Sequence, residues 1–191
     1  MNAPSTRDRL IDAAFQVVAR DGLDAASVKA IAKEAGVKPG LLHYHFETKD
    51  EVLQAAVARG LTSYLSELGA LLDRQPPDKV LAAFSDFIRS NLEAHRDLFR
   101  VRLGLAVRAM NDPALSETLG EANAQAQEAM ARIFAAHMGA KRLGKRHRAI
   151  ARTAKSSFEG MMLAWLSQPD FPMREAYDVW EEAVRTMIEK D

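Results

Sequence analysis

Residues 27 to 53 read SVKAIAKEAGVKPGLLHYHFETKDEVL, and the side chains there suit binding rather than bond breaking. Lys29, Lys38 and Lys49 can donate to phosphate oxygens or to the O6 and N7 acceptors of guanine. Leu41 can meet a thymine methyl, and His43, Tyr44, His45 and the hydroxyl of Ser27 can hold a phosphate and fix register. Gly40, with no Cβ, lets a backbone approach closely. Leu42 and Phe46 stand four apart, the spacing of one helix face. If that face turns inward, Lys38, Gly40, Leu41, His43, Tyr44 and His45 are left outside, which is the mixture of apolar and hydrogen-bonding groups that a nucleic-acid groove accepts.

Such a surface needs rigid elements to carry it, and the same stretch supplies them. Ser27 is placed to cap a helix whose Val28, Ile31 and Ala32 keep one face apolar. Ala35 ends that helix, Gly36 tolerates the positive φ of a helix stop, and Val37 plugs the gap to the next element. Pro39 suits a first helical position, so 39 to 46 reads as a second helix. Thr48 and Glu51 fit a capping box, the threonine bonding forward and the glutamate back, so a third helix opens at once. Two short helices joined by a glycine turn are the layout of a DNA-reading helix-turn-helix.

The rest of the chain predicts an all-α fold. Its 191 residues are 48% hydrophobic, and its 7 prolines and 10 glycines fall mostly where helices stop. No strand alternation is found. Helices are predicted over about Thr6 to Arg20, Thr48 to Leu72, Asp78 to His95, Asp97 to Met110 and Pro113 to Gly139, then from the basic segment Lys141 to Arg148 through Leu166, and over Met173 to Lys190. With the pair at 27 to 46 the total is about nine. Domains are expected at 1–50, carrying the helix-turn-helix, and at 51–191. There is no cysteine, so no disulfide or thiolate metal site can form. The start is too polar and acidic for a secretory signal, and no apolar run reaches the roughly 18 residues of a membrane span. A cytoplasmic location without membrane attachment is the expectation. The 26 basic and 26 acidic residues cancel, so a large basic patch is excluded, although the lysines of the motif outnumber its acids locally.

The first 53 positions resemble the N-terminal domain of TetR-family transcriptional regulators. The family pattern of a capping Ser or Thr, then IAxxAGV, then GxLxxHFxxKxxL is met by Ser27, Ile31, Ala32, Ala35, Gly36, Val37, Gly40, Leu42, His45, Phe46, Lys49 and Leu53. The resemblance implies a helical homodimer, a small-molecule inducer held in the helical core, and dimerisation through the last two long helices. Carried over by position, it assigns DNA contact to Ser27 and Lys29, to Lys38, Gly40, Leu41, His43, Tyr44 and His45 on the recognition helix, and to Lys49 at phosphate. The family often has serine where Lys38 stands and tyrosine where His43 stands, which implies different base contacts here.

Two further residue sets follow. The polar groups Arg102 and His137 stand among Phe84, Phe87, Phe99, Leu103, Met130, Phe134 and Met162, candidates for an inducer pocket against the plainer reading of ordinary core. Phe158, Met161, Trp165, Tyr177, Trp180 and Val184 are too many for one inward face, so a dimer interface on the last two helices competes with intrachain core. His43 and His45 point to different faces of a helix and carry no metal expectation. No cofactor is expected, and no nucleophile, base and acid assemble into a catalytic motif. The expected function is a homodimeric, non-enzymic repressor released from a pseudo-palindromic operator by a small molecule. The alternative is a small-molecule-binding helical protein or enzyme that keeps the fold without operator binding.

Overall fold

The computed structural model describes residues 3–189. Among them are nine α-helices and no strand: α1 Thr6–Asp21, α2 Val28–Glu34, α3 Gly40–His45, α4 Lys49–Leu72, α5 Val80–Asn91, α6 Arg96–Ala109, α7 Pro113–His137, α8 Lys145–Ser167 and α9 Met173–Glu189. The boundaries fall within a few residues of those read from periodicity, except at α5, expected over Asp78 to His95. Its start is replaced by a 3-10 turn, Pro77–Lys79, because two successive prolines supply no amide hydrogens. Its end comes early, at Asn91, where residues 92–95 pass into turns: the His95 amide still reaches Asn91 O at 3.0 Å, but the Arg96 amide takes the tighter bond to Glu93 O at 3.2 Å. The expected helix end at Lys190 lies outside the described residues. No described helix is long and apolar enough to cross a membrane.

Packing divides the chain into two units. One comprises residues up to Tyr64 together with Asp97–Glu117, and the other Leu65–Arg96 together with the chain from Thr118 onward. The first unit therefore reaches past residue 50, taking in the opening turns of α4 and nearly all of α6. The chain passes between units at 64/65, 96/97 and 117/118, each inside a helix.

In the first unit α1, α2 and α3 pack on one another around Leu10, Ala14, Val17, Ile31, Ala32, Leu42 and Phe46, all buried. Val52 and Leu53 close this core from α4 and Val101 and Leu105 from α6. Each buried Leu, Ile, Val or Phe among them contributes about 1.5–3 kcal/mol of transfer free energy. Polar ties add direction. Arg100 of α6 donates to the carbonyl of Ala19 near the end of α1 at 2.7 Å, and Arg108 of α6 pairs with Asp50 in the first turn of α4. Gly60 leaves room for α6, since a Cβ there would meet Leu98 Cδ1 at 2.7 Å.

The second unit is organised by α9, whose Met173, Tyr177, Trp180, Val184 and Ile188 recur at helical spacing and are buried. Phe158 of α8 lies 6.3 Å from the Tyr177 ring and 5.3 Å from the Trp180 ring. The Trp180 indole N–H donates to Ala154 O at 3.1 Å and Ser157 Oγ at 2.9 Å, and the Tyr177 hydroxyl donates to Ser85 O of α5 at 3.0 Å. Both polar tips are answered inside the core, which lets these rings be buried without loss. Tyr177→Phe keeps the shape and removes the donor, so urea unfolding is expected to show a stability loss of about 1–2 kcal/mol with an unchanged denaturant slope.

Candidate nucleic-acid interface

The turn between α2 and α3 is built by backbone chemistry. The Ser27 hydroxyl accepts from the Ala30 amide at 3.1 Å and starts α2 as expected. At the other end Gly36, at φ +65°, donates to Lys33 O at 3.1 Å, and Val37 donates to Ala32 O at 2.9 Å. This pair of bonds is a Schellman stop, which answers two of the carbonyls α2 leaves open. The carbonyls just past the helix are answered from elsewhere: Arg9 of α1 reaches across with its guanidinium and donates to those of the C-cap Ala35 and of Gly36. α1 thus both buttresses the pair and fixes its turn.

α3 follows, with Pro39 already at helical dihedrals of −52° and −35°. Leu42 and Phe46 point inward and are 0% and 2% exposed, whereas Leu41 is 40% and Tyr44 80% exposed. Ser27, Lys29, Lys38, Gly40 and His43 are also exposed, and His45 and Lys49 half-buried. The Tyr44 and His45 rings meet edge to face at 5.0 Å, a contact that limits both near the helix end. All nine residues singled out for DNA contact are thus on α2, α3 or the start of α4, or directly beside them, with surface to offer. α4 is capped by Thr48, which accepts from the Glu51 amide at 3.1 Å. Glu51, however, reaches back to the amide of Glu47 at 2.8 Å rather than to that of Thr48, which corrects the expected capping box by one residue.

Charge in this unit is sorted by residue type. Arg59 holds Asp8 and Asp12, Arg20 holds Asp21 and Glu34, and Arg108 holds Asp50. The Ser5 hydroxyl and then Arg59 keep the Asp8 carboxyl below the usual carboxylate range, and Arg20 does the same for Asp21. Both are exposed, so these ties orient more than they stabilise. Lys29, Lys33, Lys38 and Lys49 have no carboxylate partner among the described residues. Arginines tie five of the unit's acids, while the motif's lysines stay clear of such pairs.

The other expected sites are distributed differently. Of the pocket candidates, Phe99, Arg102 and Leu103 belong to the first unit and Phe84, Phe87, Met130, Phe134, His137 and Met162 to the second. Arg102 stacks over Phe99 at 5.9 Å, and Phe84 meets Phe134 edge to face at 6.4 Å. Met162 is fully buried, and His137 Nδ1 is a buried nitrogen without a hydrogen-bond partner. A surface groove of about 520 Å³ on α4 and α5 takes in Phe87, while a void of about 10 Å³, the size of one water, borders Phe84, Ser85 and Tyr177. Among the dimer-interface candidates, Phe158, Trp165, Tyr177, Trp180 and Val184 are all under 9% exposed and Met161 is half-buried. Within the chain these rings lie between α8 and α9, and α5 packs on α9 where the Tyr177 hydroxyl donates to Ser85 O. What the hairpin exposes is Leu163 at 55% and Val179 at 69%.

Residues 10–56 match the model for bacterial regulatory proteins of the tetR family. The nicotine-responsive transcriptional repressor HdnoR of Paenarthrobacter nicotinovorans is 37% identical over 76 residues, 40% of this chain and 39% of that protein. The match therefore spans well under half of the relative's length. A transcriptional regulator from Rhodococcus sp. Rha1 has a solved structure that superimposes with a TM-score of 0.78 at 27% identity, over 96% of this chain and 94% of the other. A regulator from Saccharomonospora viridis, solved in complex with choline, has the same fold, with a TM-score of 0.77 at 17% identity, over 97% and 96% of the two chains.

The inner and outer faces of α3 differ sharply in what a substitution should cost. Leu42→Ala is expected to lose about 2–5 kcal/mol in chemical denaturation. Tyr44→Ala is expected to stay within about 0.5 kcal/mol of the parent, as an exposed side chain without a structural task should.

Proposed function

We propose that the chain, whose residues 10–56 match the tetR family of bacterial regulatory proteins, is a TetR-type, cytoplasmic, non-enzymic, homodimeric repressor, released from a pseudo-palindromic operator by a small molecule. The observation that carries this reading is the outer face of α3. A six-residue helix leaves a tyrosine and a leucine in solvent while burying Leu42 and Phe46, with lysines that have no carboxylate partner among the described residues on either side. Large exposed apolar groups beside such cations suit a major groove, where thymine methyls, guanine acceptors and phosphates lie together.

In this mechanism Lys38, Gly40, Leu41 and His43 meet base edges, while Ser27, Lys29, Tyr44, His45 and Lys49 hold phosphates and fix register. Two copies of α3, related by a dimer axis, read half-sites about 34–36 Å apart or somewhat farther. The dimer forms on the α8–α9 hairpin through the side that carries Leu163 and Val179, not through the buried rings. The inducer binds in the helical part beyond residue 50, and a choline complex in a protein of this fold supports a small molecule as the effector. It acts by preferring one of two settings of α4. A ligand with equal affinity for both would shift nothing.

Fluorescence anisotropy against a duplex from the region flanking its own gene tests the reading. The expected result is binding at least about a thousandfold tighter than to a scrambled duplex of the same length, and equal binding to both would refute it. Within that assay Lys38→Ala is expected to cost about 1–3 kcal/mol and relax preference at one base pair. Lys49→Ala should weaken all sequences alike and lower the salt slope by about 1 for each phosphate left without its ammonium.

A further inference from the structure

Arg7, in the first turn of α1, stands outside the arginine–carboxylate pairs of the first unit, as does Arg102, which lies over Phe99. Its neighbours in sequence and in kind have internal tasks: Arg9 answers the α2 carbonyls, Arg20 and Arg59 hold paired acids, Arg100 caps α1 and Arg108 holds Asp50. Arg7 is exposed, and among the described residues it has no carboxylate or carbonyl partner. Its guanidinium carbon lies 4.9 Å above the ring of Phe46, the residue that ends the recognition helix. Phe46 is 2% exposed and seated in the core, so it is a fixed platform.

A guanidinium held over a ring face gives up part of its rotational freedom and can still offer N–H groups to solvent. That is the state in which an arginine binds a phosphate at low entropic cost, because the planar fork is already aimed. The platform also sets the location. Tyr44, His45 and Lys49 lie within three residues of Phe46, so a phenol, an imidazole and an ammonium gather at the same end of α3 where Arg7 is stacked. When the first turns of a recognition helix lie in a groove, its far end meets the sugar-phosphate backbone.

The geometry assigns Arg7 as a DNA-backbone contact supplied by α1 from outside the helix-turn-helix, pre-aimed by Phe46 at a phosphate at the C-terminal end of the recognition helix. This rests on the operator-binding reading and adds to it a contact that neither the motif nor the family pattern marks. Because the contact is to phosphate, it strengthens binding to every sequence and carries no base preference.

The test uses the full chain, a fluorescein-labelled duplex from the region flanking its gene and a scrambled duplex of equal length, titrated between about 50 and 200 mM salt. Arg7→Gln is expected to weaken both duplexes by the same several-fold factor. It should also lower the slope of log affinity against log salt by about 0.9 per arginine removed, about 1.8 for a dimer seated on both half-sites. Arg7→Lys, which keeps the charge and loses the flat fork, is expected to keep the slope and lose part of the affinity. Arg7→Gln with affinity and slope both unchanged overturns the assignment while leaving the operator reading intact. So does a lowered melting temperature with an unchanged slope, which would mean that Arg7 only protects Phe46. A parent chain without salt-dependent duplex binding overturns the operator reading and this assignment with it.

Discussion

A six-residue helix has no stability of its own in water, because nucleation fixes several residues for each hydrogen bond gained and isolated helices need roughly twice that length even to be marginal. α3 is such a helix, and α2, at seven residues, is hardly better. Their shape is therefore imposed from outside. Leu42 and Phe46 anchor α3 in the core formed with α1, and the turn before it is held by Gly36 at φ +65° and by the two carbonyls that Arg9 answers. A side chain on Gly36 would strain the turn backbone, and loss of Arg9 would leave carbonyls at the α2 end to find water. Every property ascribed to the outer face of α3 depends on that scaffold, since a surface reads register only if it is stiff.

The zero net charge of the chain looked unpromising for a nucleic-acid partner, and the structure resolves this through pairing rather than composition. Each acid tied to an arginine is removed from the field that a phosphate would feel, and five of them in the first unit, Asp8, Asp12, Asp21, Glu34 and Asp50, are tied in this way. Arginine suits this internal task because its fork can span two carboxylates, as Arg59 and Arg20 do. Lysine, a strongly hydrated point charge, gains little from such positions and is left on the motif. A neutral total thus coexists with a locally cationic face.

What was legible in the sequence is what depends on neighbours along the chain. The capping serine, the Gly36 stop and the inward pair Leu42 and Phe46 follow from spacing alone, as do nine helix spans marked by proline, glycine and apolar period. What was not legible depends on partners far away in sequence. Arg9 capping Ala35 spans 26 positions, Arg59 to Asp8 spans 51 and Tyr177 to Ser85 spans 92, and no local pattern announces them. The rings of α8 and α9 show the same limit from another side. Periodicity says that Tyr177, Trp180 and Phe158 share a face, but whether that face meets α5 or a second chain is decided by where α5 folds. α6 likewise carries no mark that it packs with the N-terminal helices, because its ties are Arg100 to a carbonyl and Arg108 to Asp50, both common surface types.

That placement of α6 bears on how a distant event would be felt at α3. The chain crosses between its two units three times, at 64/65 inside α4, at 96/97 where α6 begins and at 117/118 inside α7. A loop would absorb a small displacement in a few dihedral angles, whereas a helix transmits it along its axis through its hydrogen bonds. Two of the three helices converge on one spot, because Arg108 of α6 grips Asp50 in the first turn of α4, four residues after Phe46. The other oxygen of that carboxylate, Oδ1, is buried without a hydrogen-bond partner, which leaves part of the desolvation cost of Asp50 unanswered. Allosteric couplings are typically about 1–3 kcal/mol, the range in which gain or loss of one charged hydrogen bond falls. An ion pair of that size between α6 and the first turn of α4, placed just after the recognition helix, ties these two helices together beside α3.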